Sequence, residues 1–181
     1  MSTASEALIA RRSAVVSLGV GRLNGIAASH GNGALLTDLD GKEYIDLASG
    51  IGVMNVGHSH PKVVSAIAEQ SSKLQHACFH VSSYEPYVAL CEKLVQLFPH
   101  GEKTKAMLVN SGAEAVENAI KIARQATGRP SIVCFTEGVH GRTLLASSLT
   151  SKVGYKIGCG PYAPEIYRLP FPNFFRYGDG L

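Results

Sequence analysis

The sequence predicts an α/β fold, and three observations predict it. An apolar run at 106–109 turns on Asn110-Ser111-Gly112 into a strongly helix-forming stretch, 112–126. That stretch is stopped by Thr127-Gly128-Arg129-Pro130, as helices often are by glycine followed by proline. A second apolar run, 131–135, follows at once. Read as strand 106–110, helix 112–126 and strand 131–135, this is one βαβ unit, which requires parallel strands joined by a right-handed crossover.

The elements on either side fit the same class. Residues 1–30 are weakly patterned, with a short helix expected from Met1 to Arg12. Residues 34–38 and 43–47 flank Asp40-Gly41, a strong hairpin signal. Gly50, Gly52 and Gly57 then punctuate a loop. Pro61 suits the first position of a helix running to Leu74, because the N–H that proline lacks would have no partner there. A third helix is expected from Ser82 or Ser83 to Phe98, with Ser82 and Glu85 spaced as a capping box and Pro99-His100-Gly101 as its stop. In helix 112–126, Ala113, Val116, Ala119, Ile120 and Ala123 share one side, and the alanines allow close packing on a sheet. From Gly154 onward the chain is rich in Gly, Pro and aromatic residues and shows no clear period.

Composition excludes several classes. The 181 residues are 45% hydrophobic and 17% charged, with a net charge of +3 and no Lys/Arg run, so nucleic acid is not an expected partner. No stretch approaches the length of a membrane helix. The apolar run behind Arg11-Arg12 is short, contains Gly19 and is followed by Arg22, which is a poor export signal. Cys78, Cys91, Cys134 and Cys159 form no CxxC pair and read as reduced thiols of a cytoplasmic protein.

Two loops are candidates for chemistry. Both 110–113 and 136–142 follow a strand of the same unit, so both are expected at the carboxyl edge of the sheet, where such folds bind ligands. Ser111-Gly112-Ala113 would aim free backbone N–H groups and the positive end of a helix dipole at one point, which suits a phosphate. The same residues read equally well as a capping box between Ser111 and Glu114. In Gly138-Val139-His140-Gly141-Arg142-Thr143, Arg142 is suited to grip a carboxylate with two prongs, and His140 to stack or hydrogen-bond. A local acid paired with Arg142, and a turn role for His140, are the plainer alternatives. His58-Ser59-His60 is a thin signal for a metal.

In this order, these pieces resemble the class III aminotransferases, which use pyridoxal 5′-phosphate, and especially the 4-aminobutyrate type. The resemblance rests on Asp40-Gly41-Lys42-Glu43-Tyr44-Ile45-Asp46, Ser49-Gly50-Ile51-Gly52-Val53 and Gly57-His58-Ser59-His60-Pro61. It continues through Tyr84-Glu85-Pro86-Tyr87, Asn110 to Ala119, Gly138 to Thr143 and Leu149-Thr150-Ser151-Lys152-Val153. It implies the N-terminal part of the fold type I pyridoxal-phosphate-dependent transferases. Residues 1–60 would form part of the small domain, carrying the β hairpin, and 61–181 would begin the large parallel-sheet domain. Ser111, Gly112 and Ala113 would hold the cofactor phosphate, Val139 would cover the ring and His140 would sit beside it. Arg142 would bind the substrate carboxylate, with Ile51 on the pocket wall and Phe79 near it.

The sequence departs from the family pattern in two ways. Val139 stands where an aromatic residue is usual, and valine lacks the stacking part of the contact, worth about 0.5–1.5 kcal/mol. The chain also stops at Leu181, whereas family members are more than twice as long. The Schiff-base lysine, the aspartate facing the pyridine nitrogen and a substrate-pocket glutamate have no counterpart in it, and neither Lys152 nor Lys156 matches the lysine. The expectation is therefore half of a site. The whole enzyme would transfer an amino group from an ω-amino acid to 2-oxoglutarate as a homodimer, while this chain alone would be inactive or would pair with a full-length relative.

Overall fold

A computed structural model describes residues 3–98, 100–101 and 103–178. They divide into two compact units, 1–81 and 82–181. Met1 and Pro99, named above as a helix start and a helix stop, lie outside the described residues.

The first unit opens with α1 (Ala4–Val15), started by a full capping box between Thr3 and Glu6. Asp40 reinforces this start: its carboxylate accepts the N–H groups of Ala4 (2.8 Å) and Ser5 (3.2 Å). A three-stranded antiparallel sheet follows in the order β1 (Ala28–Asn32), β2 (Leu35–Asp38), β3 (Glu43–Ile45). The β2–β3 hairpin is the one expected, with Leu36 opposite Tyr44. Its turn closes on the Asp38 carboxylate, which accepts from the N–H groups of Asp40 and Lys42 and from the Tyr44 hydroxyl. Those bonds hold the Asp38 carboxyl below the ordinary carboxylate range, the Lys42 N–H being the largest cause.

β1 lies in the stretch read from sequence as weakly patterned. Ala-Ser-His-Gly-Asn carries no apolar alternation, and the strand exists because it pairs with β2, Asn32 opposite Leu35. α2 (Ser49–Gly52) is a single turn with positive φ at all four residues. α3 (Pro61–Lys73) begins as expected with Pro61, behind His60, whose ring nitrogen Nδ1 accepts the Lys62 N–H.

The second unit starts with α4 (Glu85–Leu97), which corrects the proposed capping box. The residue before the first turn is Tyr84, with no side-chain cap, so Ser82 stands two residues too early. α5 (Gly112–Thr127) ends on Gly128 in the left-handed conformation, φ 67°. β4 (Ile132–Phe135) pairs in parallel with β5 (Ile166–Leu169), Ile132 opposite Ile166, on either side of α6 (Leu144–Leu149). A short helix, α7 (Phe174–Tyr177), follows.

The expected strand 106–110 is not a strand in the structure. Its backbone is held by side chains of α4 instead. The Leu108 N–H donates to the Tyr87 hydroxyl at 2.9 Å, and the Cys91 Sγ lies 3.8 Å from the Ala106 carbonyl oxygen. A strand is defined by its ladder, and among the described residues nothing pairs with this stretch. The parallel pairing of the unit therefore appears one step later, between β4 and β5. The core beneath it joins Ile120 of α5, Cys134 of β4 and Leu149 of α6, flanked by Val116, Leu145 and Ile166.

Candidate functional site

The start of α5 is built to leave donors free. Ser111 is the cap, its hydroxyl accepting the Glu114 N–H at 3.2 Å. The Glu114 carboxylate does not complete the box on Ser111. It reaches one residue further back and accepts the Asn110 N–H at 2.7 Å. The N–H groups of Ser111, Gly112 and Ala113 thus have no partner among the described residues. Among the described residues beyond its own chain neighbours and helix backbone, nothing stands within 4 Å of where a β-carbon on Gly112 would be. A helix of 16 residues adds its positive end at the same point.

The loop after β4 closes directly on this helix start. A β-carbon on Gly141 would fall 2.6 Å from the Ala113 Cβ and 3.1 Å from that of Ala146, and Gly141 has φ 124°. Only glycine permits that approach in that conformation. The two loops expected to share one edge do meet, although the strand thought to lead into the first is absent.

Within the loop, the His140 N–H donates to the Thr150 hydroxyl at 3.0 Å. The His140 Nε2 atom is buried and has no hydrogen-bond partner among the described residues, an arrangement that costs stability unless something else supplies one. Val139 is 64% exposed. Arg142 is exposed and forms no ion pair among the described residues, so the local-acid alternative is not what holds it. Its guanidinium lies over the Tyr155 ring, 5.7 Å from the centroid, and Lys152 shares that ring at 4.6 Å.

Ile51 and Phe79 belong to the first unit. Ile51 sits in the left-handed turn α2 at φ 64° and is 84% exposed. Positive φ is unusual for a β-branched residue. The turn is gripped at its base by Asp46, whose Oδ1 accepts the N–H groups of Ala48 and Ser49. The other oxygen, Oδ2, lies 2.7 Å from His58 Nε2. These bonds, His58 first, hold the Asp46 carboxyl below its ordinary range. A cavity of about 350 Å³ beneath the loop is lined by Gly33, Asp46, Ser49, Asn55 and His58, and Ile51 is not part of its wall. Phe79 is half-buried in the turn after α3. His58 and His60, considered as metal ligands, are engaged with Asp46 and the α3 cap, and no metal-binding cluster occurs among the described residues.

No sequence signal marks Thr150 or Tyr155 as a site residue. Thr150 lies inside a family-like stretch, but nothing in that stretch marks its hydroxyl as the partner of an amide ten residues earlier.

Residues 17–178 match the family model described as aminotransferase class-III. The chain is 51% identical over 172 residues to a probable 4-aminobutyrate aminotransferase of Bacillus subtilis, covering 94% of this chain and 39% of that protein. It is 48% identical over 174 residues to a 5-aminovalerate aminotransferase of Pseudomonas putida, covering 96% and 41%. Among solved structures, a Bacillus anthracis aminotransferase superposes with TM-score 0.84 at 27% identity, covering 97% of this chain and 41% of that one. The ornithine aminotransferase of Toxoplasma gondii, described with partial occupancy of PLP at its active site, superposes with TM-score 0.83 at 25% identity, covering 93% and 40%. The chain spans about 40% of the length of the curated relatives it matches.

Proposed function

The chain belongs to the class-III aminotransferases, and from that premise we propose that it carries the phosphate-binding and carboxylate-binding part of an ω-amino-acid aminotransferase of the 4-aminobutyrate type. One observation carries the reading: three unpartnered N–H groups at the head of α5, packed against a loop that holds a buried, unpartnered imidazole nitrogen.

That donor set fits pyridoxal 5′-phosphate. Ser111, Gly112 and Ala113 hold the phosphate through their N–H groups. His140 lies beside the ring, and Val139 offers it an apolar face without stacking. When bound, the cofactor supplies an electron sink that eases proton removal beside the transferred nitrogen. Arg142 binds the substrate carboxylate. The donor is an ω-amino acid and the acceptor a 2-oxo acid, 2-oxoglutarate in the closest functional analogy. None of the nine lysines takes the place of the imine-forming residue, so these 181 residues alone do not turn over. Residues 1–60 are assigned to the small domain and 61–181 to the cofactor domain, in a cytoplasmic homodimer.

The test is a fluorescence titration of the purified polypeptide with pyridoxal phosphate and with phosphate-free pyridoxal. The phosphate ester binds at least about ten-fold more tightly, as charge-assisted bonds to three amides require, and Gly112→Val removes that preference. Equal binding of the two ligands overturns the assignment. Cofactor-dependent formation of glutamate from 4-aminobutyrate and 2-oxoglutarate by these residues alone overturns the statement that they do not turn over.

A second reading is a non-catalytic subunit that docks on a full-length relative. Val133, Tyr167 and Leu169 on the parallel strand pair are each more than half exposed in these 181 residues, a face that such a relative or further chain of the same protein would cover. Failure to co-purify with a full-length class-III aminotransferase expressed in the same cell would exclude it.

A further inference from the structure

We propose that Thr150 is a positioning residue that sets His140, and with it the loop 138–142, against the head of α5. The proposal deepens the cofactor reading above, on which its functional half rests.

Thr150 is completely buried. Its hydroxyl oxygen accepts the His140 N–H at 3.0 Å and lies 2.9 Å from the Gly141 carbonyl oxygen and 3.0 Å from that of Ala146. The contact with Ala146 is what a threonine at a helix end ordinarily makes, a bond to the carbonyl four residues back. The other two are not local. They reach nine and ten residues back, to the two loop residues between Val139 and Arg142. One hydroxyl group thus answers the N–H of His140 and competes for the carbonyl of Gly141, at the point where Gly141 touches Ala113.

Thr150 is itself held from behind. Its N–H donates to Ala146, and its carbonyl oxygen accepts from Lys156 Nζ at 3.1 Å and from the guanidinium of Arg168 on β5 at 3.3 Å. Arg168 also donates to the Ser148 carbonyl oxygen. The next residue repeats the pattern, the Ser151 N–H donating to the Gly138 carbonyl oxygen at 2.9 Å. The end of α6 is therefore pinned to β5 on one side and bonded to the His140 loop on the other. A rigid brace of this kind is what a binding residue on a loop needs if its ring is to stay in register with a ligand.

The test compares Thr150→Val, which keeps the shape and loses the hydroxyl, with Thr150→Ser, which keeps the hydroxyl. Two quantities are read: amide hydrogen exchange at His140 by NMR, and affinity for pyridoxal phosphate by titration. In the valine variant the His140 amide exchanges at least about ten-fold faster, since a buried donor has lost its acceptor, while the amides of β4 do not change. Its cofactor affinity falls about ten-fold, and serine restores both. Unchanged exchange in the valine variant overturns the proposal, as does equal acceleration of His140 and β4. Failure of serine to restore protection also overturns it, since packing of the methyl group would then be the cause. If the valine variant does not fold, the serine variant is read alone, and loss of His140 protection in it is the overturning result. If the unaltered polypeptide binds no pyridoxal phosphate, the cofactor reading falls, and exchange alone decides whether Thr150 positions His140.

Discussion

Gly141 and Ala113 touch so closely that a β-carbon on the first would fall 2.6 Å from that of the second. This single approach, between residues 28 apart in sequence, joins the loop after β4 to the head of α5. It also sets the first prediction. Gly141→Ala must displace α5 or the loop and adopt φ 124° with a side chain, so it costs at least about 1–3 kcal/mol of stability from overpacking alone. Urea denaturation of the variant checks this, and an unchanged midpoint would refute the contact.

Ser111 has two roles that can be separated. Ser111→Asp keeps a good cap for the Glu114 N–H, so stability changes by no more than about 0.5 kcal/mol. The added negative charge faces the phosphate position, so affinity for pyridoxal phosphate falls by more than about ten-fold. Ser111→Ala costs about 1 kcal/mol by removing the cap. Thermal melts and cofactor titrations on both variants check the split; an aspartate variant that binds the cofactor normally would show that the phosphate lies elsewhere.

Arg142 is steadied by a ring rather than by an acid. Tyr155→Ala releases the guanidinium, at a cost of about 0.5–1 kcal/mol for an exposed cation–π contact. Tyr155→Phe keeps the face and leaves Arg142 as it was. Relaxation of the Arg142 Nε resonance measures this directly: it becomes more mobile in the alanine variant only. Equal mobility in all three proteins would show that the ring does nothing for Arg142.

The loop bearing Ile51 responds to acid. The Asp46 carboxyl is held below 3.8, the ordinary value for an aspartate, first by its bond to His58 and then by the Ser49 N–H. The folded form therefore keeps the carboxylate charged at pH values where the unfolded chain takes up a proton. Its stabilising contribution is fully present above 3.8 and is lost as pH falls through the depressed folded value. Following the Ala48 and Ser49 amide resonances down in pH checks this. The acid transition occurs in the unaltered chain and is absent in Asp46→Asn.

Local signals with one physical meaning could be read directly from the sequence. Pro61 at a helix start, Asp40-Gly41 in a hairpin and Gly128 after a helix each act within a few residues, and each element stands where expected. Strands were less legible, because a strand needs a partner. Residues 106–110 are as apolar as β4 yet pair with nothing described, while β1 is polar and pairs with β2 on both sides of a bulge at Ser29. The two-residue turn of that first hairpin is Gly33-Ala34, with Gly33 at φ 55°. At the site, the Ser-Gly turn was legible as an anion cradle, but the reach of Glu114 past Ser111 to Asn110 was not, and that one-residue difference leaves the Ser111 N–H free. Nor does any spacing rule connect Thr150 to His140, a bond made by tertiary packing alone.

The left-handed turn at Ser49–Gly52 has a consequence for redesign. At position 51 the choice of side chain and the comfort of the backbone pull in opposite directions: glycine or asparagine would relax the turn, whereas isoleucine is carried at a cost of order 1–3 kcal/mol. A substitution library at this one position therefore varies two properties together, the surface the loop displays and the firmness with which it is shaped. Ranking its members by activity alone would confound them, and pairing each with a measurement of loop rigidity would tell a better fit from a looser hinge.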